Sequence, residues 1–507
     1  MTGTHDTIDT TPATSGDTPA ADIAVETPAP AANSVSEGTP ASEDSNTNRR
    51  QPFPQGFLDT ISDGWATRTE SLPTPRAQAS FAAARRAVVS AAFPGARLVV
   101  PAGELKQRSN DTDYPFRAHS AFAHLTGWER DAEPGSMLVF EPTADGHEVT
   151  LYFRERADRT TAEFYSDATI GEFWIGPRPA LAGVAADLGL RTRHIDEFVA
   201  SADDLEVDVD DDFTRFVSEL RLVKDEFEID QLRLAVGVTA DGFDDIVREL
   251  PRIIEHPRGE RVVEGVFHLR ARSEGNWEGY DTIAASGPHA CYLHWTRNDG
   301  AVLSGDLILI DAGVEVDTLY TADITRTLPV SGTFTPVQRK VYEAVREAAD
   351  AAFAAARPGV KFKDVHAAAM EVIAARVHEW GLLPVTAEEA LDAERGGQHR
   401  RYMVHGTSHH LGIDVHDCAQ ARREMYYDGE LQPGMVFTIE PGLYFQIDDL
   451  TVPEEYRGIG VRIEDDILMT EHGPVNLSSA IPRTADDVEA WIARLAPPAP
   501  APAPDVE

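Results

Sequence analysis

The pattern of apolar and polar positions changes sharply at both ends of the chain. Residues 1–52 are mostly Thr, Ala, Pro, Ser, Asp and Glu, and the first Lys or Arg is Arg49. Such a segment buries too little apolar surface to offset its chain entropy, so we expect a disordered acidic arm. At the other end we assign residues 486–507 to a Pro/Ala-rich tail, extended and unfolded from 497 onward.

Residues 53–219 mix helical and strand-like spacing. Apolar positions recur at helical intervals over 76–92, and short apolar runs occur at 97–101, 136–141 and 149–153. Strands that alternate with helices predict a compact α/β domain. The acidic run at 203–212 lacks the Gly and the terminal Glu of an EF-hand loop, which favours a solvated linker over a calcium site.

Residues 220–485 predict the same order of elements twice. The first copy has helices at 224–250, ended by Pro251, and at 259–273, then strands at 282–286, 307–310 and 322–328. The second copy opens with Thr335-Pro-Val-Gln338, a capping box with Pro at the first helical position. Its helices end at Pro358 and Trp380, and its strands span 435–440 and 459–468. This repetition predicts a pseudo-symmetric α+β domain whose functional site lies between the halves.

Four acidic residues end or interrupt the apolar runs of this domain: Asp311, Asp323, Glu440 and Glu464. Taken alone, Asp311 would suit a turn, and Arg326 could neutralise Asp323. Arg462 and Glu464 could likewise pair across one face of a strand. Burying four separate carboxylates would cost more than the net stability of a domain, so convergence on a cation is the stronger interpretation. An oxygen-rich ligand set suits divalent metals such as Mn²⁺.

The run at 405–417 (HGTSHHLGIDVHD) supplies nitrogen donors. His409 is the expected metal ligand. His405, His416 and, from an earlier segment, His294 are then available to hydrogen-bond a substrate or an anionic intermediate. The remaining candidates lie in an amphipathic helix or a basic loop, and we interpret them as surface residues: His366, His378 and His399.

The composition excludes several classes of function. The chain of 507 residues has a formal net charge of -40, which repels nucleic acid and anionic membrane surfaces. Cys291 and Cys418 are too few for a disulfide framework and suit a reducing compartment. Neither an export signal nor a membrane-spanning run is recognisable, so we expect a cytoplasmic protein without nucleic-acid or membrane partners.

Six motifs carry a family resemblance: 291–298 (CYLHWTRN), 309–313 (LIDAG), 322–329 (ADITRTLP), 405–417, 439–444 (IEPGLY) and 456–466 (YRGIGVRIEDD). Together they closely resemble the motifs of aminopeptidase P, the Xaa-Pro aminopeptidase of the pita-bread metallopeptidases. The resemblance spans roughly residues 75–485 and includes Tyr114-Pro-Phe-Arg117. It implies an α/β N-terminal domain and an α+β C-terminal pita-bread (creatinase/aminopeptidase) domain with pseudo-twofold symmetry.

The same resemblance implies a dinuclear site, usually with two Mn²⁺ ions, whose ligands are Asp311, Asp323, His409, Glu440 and Glu464. Asp323 and Glu464 would bridge the metals. It also implies that His294, His405 and His416 line the substrate site and that Arg462 orients the bridging acid and the substrate. The family often forms dimers or tetramers.

Two features depart from the family pattern. The interval from Asp311 to Asp323 is one residue longer, which predicts a bulge at 314–320. Ala123-His124 stands where an aromatic pair is common, so a substrate contact from that part of the N-terminal domain is not expected.

The expected reaction is hydrolysis of the bond between an N-terminal residue and a penultimate proline by a hydroxide that bridges the metals. Glu440 is placed to carry a proton to the proline nitrogen, and His405 to stabilise the oxyanion. Because the proline nitrogen of the peptide carries no hydrogen, we expect a shaped pocket with His294 and His416 as walls.

Three alternatives stay open. A prolidase would share the fold and the metal ligands but take only dipeptides. A relative that only binds peptides would be expected to have lost metal ligands, and a creatinase-like hydrolase would work without a metal. The retained ligand types disfavour the last two.

Overall fold

The structure, a computed structural model, describes residues 53–68, 71–110 and 112–496. The acidic arm expected at 1–52 and the run after 496 lie outside the described residues. The chain forms two units, Met1–Trp65 and Ala66–Glu507. The described part of the first unit contains helix α1 (Gln55–Leu58), and all other elements belong to the second. Of the described helices, none combines the length and the apolar character that a membrane crossing requires.

The N-terminal region of the second unit is built on a mixed sheet. Its strands are β1 (Leu98–Pro101), β2 (Gln107–Ser109), β3 (Thr112–Asp113), β4 (Met137–Thr143), β5 (Gly146–Phe153), β6 (Arg191–His194) and β7 (Leu205–Glu206). Its helices are α2 (Ala79–Ala92), α3 (Ser120–Thr126), α4 (Glu163–Ser166), α5 (Glu172–Ile175), α6 (Leu181–Leu188) and α7 (Asp211–Glu219). The main sheet has the order β6-β5-β4-β1-β7, with parallel pairs at both edges. Trp128, Phe140 and Phe153 lie in its core, as the expected α/β pattern requires.

The acidic run at 203–212 has structural partners. Asp204 forms an ion pair with Arg97 at 2.7 Å. Asp210 accepts a hydrogen bond from Phe213 N (2.8 Å) and so caps α7. The expected solvated linker is therefore wrong in part, because 205–206 form the edge strand β7 and Val207 lies in the core.

The C-terminal region contains the repeated arrangement. Its helices are α8 (Glu226–Glu255), α9 (Gly259–Glu274), α10 (Pro336–Ala355), α11 (Phe362–Glu379), α12 (Ala387–Ala390) and α13 (Ala485–Leu495). Its strands are β8 (Trp277–Glu278), β9 (Ile283–Ser286), β10 (Leu307–Ala312), β11 (Val314–Glu315), β12 (Ile324–Pro329), β13 (Val436–Ile439), β14 (Gly442–Tyr444), β15 (Gly460–Arg462), β16 (Asp465–Thr470) and β17 (Gly473–Asn476). Helices α8 and α9 accompany the antiparallel sheet β12-β10-β9, and α10 and α11 accompany the antiparallel sheet β13-β16-β17. The predicted twofold repetition is therefore present.

Helix boundaries follow local chemistry, with one exception. Helix α10 begins at the capping box expected at Thr335. The prediction that Pro251 ends the first helix is wrong, because α8 continues to Glu255 with Pro251 inside it. Val247 and Ile253 are fully buried on either side, and this continuous apolar face offsets the hydrogen bond that proline cannot donate.

Two further boundaries differ from the prediction. The strand expected over 459–468 is divided into β15 and β16, because β15 pairs with β14 whereas β16 pairs with β13. Glu464 lies at the step between them, and its N–H donates to Thr325 O (3.1 Å). The tail assignment from 486 is wrong as far as 495, because this segment forms α13 with Trp491 and Ile492 buried.

Candidate metal centre

A cavity of about 630 Å³ opens between the two halves of the C-terminal region. Its wall includes every side chain that the sequence indicated for metal or substrate: Asp311, Asp323, His409, Glu440, Glu464, His294, His405, His416 and Arg462. Residues as far apart in the sequence as His294 and Glu464 therefore meet at one site.

The strands deliver the four acids to this cavity. Asp311 lies in β10, between β9 and β12 in the sheet. Asp323 immediately precedes β12 instead of lying within a strand as predicted, and its N–H donates to Asp466 Oδ2 (3.2 Å). Glu440 follows β13, and Glu464 occupies the step between β15 and β16. Strand ends and interruptions thus turn the carboxylates out of the apolar layers.

His409 lies on a segment that is hydrogen-bonded along β13. Thr438 N donates to His409 O (2.9 Å), which fixes the position of the imidazole beside two acids. His409 Nε2 is 3.1 Å from Asp323 Oδ2 and 3.7 Å from Glu440 Oε1. One ligand atom each from Asp323, His409 and Glu464 lies within 4.8 Å of the other two.

Two side chains that the sequence did not indicate hydrogen-bond the acids. The Tyr280 hydroxyl lies 2.6 Å from Asp311 Oδ1 and 2.5 Å from Asp323 Oδ1 and shares its single proton between them. Thr325 Oγ1 donates to Glu464 Oε2 (2.7 Å). Strand alternation could have indicated Thr325, because it is two positions from Asp323, whereas Tyr280 lies in a segment without a strand or helix period.

Arg462 contacts a different acid from the one expected. Its Nη2 donates to Asp311 Oδ2, its Nε to Thr325 Oγ1 (3.1 Å) and its Nη1 to the Tyr444 hydroxyl (3.1 Å). Arg462 therefore reaches Glu464 only through Thr325. The alternative of a direct Arg462–Glu464 ion pair is wrong, because the step between β15 and β16 separates the two side chains.

Arg326 does not neutralise Asp323. Its guanidinium is fully buried, with Nη2 donating to Asp465 Oδ1 and Nη1 to Glu464 O, both at 2.6 Å. The ion-pair alternative for Asp323 is therefore excluded.

Burial and mutual repulsion raise the proton affinity of the cluster. Burial is the largest cause of the raised pKa of Asp323, of the pKa of Glu440 at about 8, and of the pKa of Glu464 well above its ordinary value. Burial alone would lower the pKa of His409, but the hydrogen bond and charge of Asp323 raise it to about 9. Protons stabilise the cluster when no other cation does, and bound metal ions would replace them.

His405 and His416 form another part of the wall. His405 Nε2 lies 2.8 Å from the Tyr444 hydroxyl, and its Nδ1 lies 3.5 Å from Glu440 Oε2. Burial lowers the pKa of His405 to about 3, so its imidazole is neutral at pH 7. The His416 ring meets the His409 ring edge-on, with centroids 4.4 Å apart.

His294 lies on a loop that a buried carboxylate organises. Glu260 of α9 accepts hydrogen bonds from Ser286 N (2.8 Å), Trp295 Nε1 (2.9 Å) and Gly300 N (2.7 Å). Its side chain is fully buried. These bonds join both ends of the His294 loop to one helix, and only the tertiary structure reveals this role.

Two of the three histidines assigned to the surface lie inside the fold. His399 is buried, with Nδ1 2.9 Å from Ala390 O. His366 is half-buried, with Nδ1 3.2 Å from Thr407 Oγ1. His378 is exposed, as expected. Helix amphipathicity alone did not anticipate that the loops after α11 cover the first two.

The longer interval between Asp311 and Asp323 forms a tight turn after β11. Leu319 adopts a positive φ of 66°, and Val316 N donates to Tyr320 O (3.0 Å). This turn lies within the segment 314–320, where the bulge is predicted, and the position of the additional residue stays a prediction.

The donor set fits divalent cations. Four carboxylates and one imidazole suit hard or borderline metals, and among the described residues no thiol lines the cavity. The raised pKa values of Glu440 and Asp323 show that the cluster requires added positive charge to hold its carboxylates ionised.

Comparisons with known proteins agree with this geometry. The sequence model of Metallopeptidase family M24 matches residues 230–471, and that of the Aminopeptidase P N-terminal domain matches residues 82–207. Xaa-Pro aminopeptidase 1 of Streptomyces coelicolor is 51% identical over 461 residues, which cover 87% of this chain and 92% of that protein.

Solved structures give the same result. A variant of Escherichia coli aminopeptidase P in complex with substrate matches with a TM-score of 0.71 and 30% identity, over 83% of this chain and 99% of that chain. Zinc-substituted Escherichia coli aminopeptidase P in complex with product matches over the same shares with a TM-score of 0.70 and 30% identity. These matches confirm the expected fold, an α/β N-terminal domain followed by a pita-bread domain. The chain therefore belongs to the aminopeptidase P family of M24 metallopeptidases.

Proposed function

We propose that this chain removes the N-terminal residue from peptides with proline in the second position, with two Mn²⁺ ions at its active site. The observation that carries the proposal is the convergence of four acids and His409 on one cavity. Family membership supports a metallo-aminopeptidase that cleaves before proline.

Five residues would hold the metals: Asp311, Asp323, His409, Glu440 and Glu464. Three of these residues, Asp323, His409 and Glu464, bring ligand atoms within 4.8 Å of one another. When bound, two divalent cations supply a water activated at neutral pH and polarise the scissile carbonyl. Oxygen donors with a single imidazole favour Mn²⁺ over thiophilic metals.

Glu440 is the proposed proton carrier. Its carboxyl lies in the cavity wall, with Oε2 3.5 Å from His405 Nδ1. Once metal binding has ionised it, this carboxylate can accept a proton from the attacking water and return it to the departing proline nitrogen. This step is needed because the proline nitrogen leaves as an amine.

His405 is the proposed stabiliser of the oxyanion, a role that requires a ring N–H to leave its present partner, because Nδ1 donates to Gly406 O (2.6 Å) and Nε2 faces the Tyr444 hydroxyl. The Tyr444 hydroxyl, 2.8 Å from Nε2, holds the ring in place, and Arg462 in turn donates to that hydroxyl. His294 and His416 would form the walls around proline. Arg462 would also hold Asp311 ready to bind metal.

The comparison of tripeptides with dipeptides tests the substrate assignment. After chelation and reloading with Mn²⁺, we expect turnover of Xaa-Pro-Xaa peptides and its loss in the Asp323→Ala variant. Cleavage of the Xaa-Pro dipeptide alone would identify a prolidase. Absence of both bound metal and activity would identify a peptide-binding protein, and turnover that survives chelation would favour a creatinase-like hydrolase.

The proposal extends to the organisation of the chain. We place an N-terminal domain at 53–219 and the catalytic domain at 220–495, because Trp491 and Ile492 of α13 belong to the core of that domain. Both cysteines, Cys291 and Cys418, are free and buried, which suits a cytoplasmic protein. A dimer or tetramer is proposed from the family, and light scattering after size-exclusion chromatography would test it.

A further inference from the structure

The motif Tyr114-Pro-Phe-Arg117 belongs to the N-terminal region, yet its arginine reaches the catalytic half. Arg117 Nη2 donates to Ile413 O (2.7 Å), and its Nε donates to Glu315 Oε2 (2.6 Å). Glu315 is buried in β11. One guanidinium therefore links the segment between Asp311 and Asp323 to the histidine-rich segment 405–417.

Asp414, near the end of the histidine-rich segment 405–417, makes a second pair of contacts. Asp414 Oδ1 accepts a hydrogen bond from Ser120 Oγ (2.6 Å) and lies 3.3 Å from Arg117 Nη1. Both donors come from the N-terminal region. Asp414 lies only two positions before His416, a proposed wall of the proline pocket.

The same segment is held at its end by a buried ion cluster. Asp417 Oδ1 accepts from Arg221 Nε (2.9 Å), and Asp417 Oδ2 accepts from Lys224 Nζ (3.2 Å). The backbone packs closely around Asp417, because a Cβ on Gly412 would lie 2.1 Å from Asp417 Oδ2. His416 therefore lies between two residues, Asp414 and Asp417, whose side chains are held by hydrogen bonds and ion pairs.

The His416 ring depends on these two residues for its position. It packs against the His409 ring at 4.4 Å, and no hydrogen bond to it is seen within residues 71–110 and 112–496. Because few side chains hold the His416 ring directly, its position depends on the backbone of the residues before and after it.

We propose, on the basis of the proposed function, that Arg117 is a positioning residue for substrate binding, which acts through the backbone of 413–414 on His416. The N-terminal region then contributes to recognition of proline-containing peptides without touching them. Lysine is no substitute, because one ammonium group lacks the rigid fork that reaches a carbonyl and two carboxylates together.

Steady-state kinetics with an Xaa-Pro-Xaa tripeptide, on the full-length Mn²⁺-loaded protein, test this inference. We expect Arg117→Ala and Arg117→Lys to raise KM about tenfold and to leave kcat within about twofold, because a pocket wall binds the ground state and the transition state alike. Ser120→Ala removes one hydrogen bond to Asp414 with less disturbance, and we expect KM to rise about threefold. Metal content should stay at the wild-type value in all three variants.

Arg130→Ala is the matched control. Arg130 also comes from the N-terminal region and pairs with Asp317, close to Glu315, but this ion pair is exposed, at 49% and 57% for the two side chains. Its loss should leave KM, kcat and the melting temperature unchanged, since exposed pairs contribute little.

A double-mutant cycle with His416→Ala separates positioning from general destabilisation. If Arg117 acts through His416, Arg117→Ala adds almost nothing to the KM of the His416→Ala variant. Additive effects on KM, or an unchanged KM in both Arg117 variants and in Ser120→Ala, would overturn the inference. A wild-type protein that does not cleave the tripeptide would instead overturn the proposed function, so the two failures are distinguishable.

Discussion

Metal binding should release about two protons per chain at pH 7. Burial raises the pKa of Glu440 to about 8, and the contact with Asp323 raises the pKa of His409 to about 9. At pH 7 such groups are ~90% and ~99% protonated in the metal-free protein. Ligation requires the ionised carboxylate and the neutral imidazole, so both protons must leave.

Isothermal titration calorimetry measures this release. Mn²⁺ is titrated into the chelated protein at pH 7 in buffers of different ionisation enthalpy, and the slope of the observed enthalpy gives the protons released. We expect a slope of about two or more, because the pKa values of Asp323 and Glu464 are also raised. The slope should fall as the pH rises from 7 past 9, because Glu440 and then His409 lose their protons before the metal binds.

A matched control excludes a contribution from distant groups. His378 is exposed on α11, so His378→Ala should leave the slope unchanged. A slope near zero at pH 7 in the wild-type protein would refute the reasoning, because it would mean that the acids and His409 do not gain their ligand form on metal binding.

Three other outcomes follow from the same contacts. The pKa values of Glu440 and His409 are raised in the folded state, so their protonated forms stabilise the fold at low pH. This stabilisation is lost as the pH rises through the folded pKa values. Calorimetry of the metal-free protein should therefore show a melting temperature that falls from pH 6 to pH 9. The melting temperature of the Mn²⁺-loaded protein should not fall over this pH range. An equal fall in both forms would contradict the assignment of Glu440 and His409 as metal ligands. Gly313→Ala should abolish turnover and Mn²⁺ binding in equilibrium dialysis, because its Cβ would lie 1.6 Å from Ala322 O beside the acids. Gly237→Ala, on an exposed face of α8 with nothing within 4 Å, should be tolerated. Glu260→Gln should raise KM about fivefold by placing an amide donor among the donors of the His294 loop, and an unchanged KM would show that the loop holds without this carboxylate.

The sequence indicated which four acids would meet in one cavity because each acid breaks an apolar run. Asp311 and Glu440 lie at strand ends, where a carboxylate inside a hydrophobic pattern would be costly to bury without a cation. The pairing of charges was not predictable in this way. Whether Arg462 meets Asp311 or Glu464, and whether Arg326 meets Asp323, depends on which strands pair, and the step between β15 and β16 decides the first case.

Contacts between distant segments were also beyond sequence reasoning. Tyr280 reaches Asp311 from a segment without regular spacing, and Glu260 occupies what the sequence pattern indicates is an ordinary helix position. Helix α8 passes through Pro251, and α13 extends into the segment assigned to the tail, because buried apolar faces outweigh local breaker and composition signals.

The most direct test of the central claim is the number of Mn²⁺ ions bound per chain when the chelated protein regains full turnover of an Xaa-Pro-Xaa peptide. The account predicts two ions per chain in the wild-type protein. Full turnover with no bound metal, or a stoichiometry that stays at two when both Asp323 and Glu464 are replaced by alanine, would contradict it.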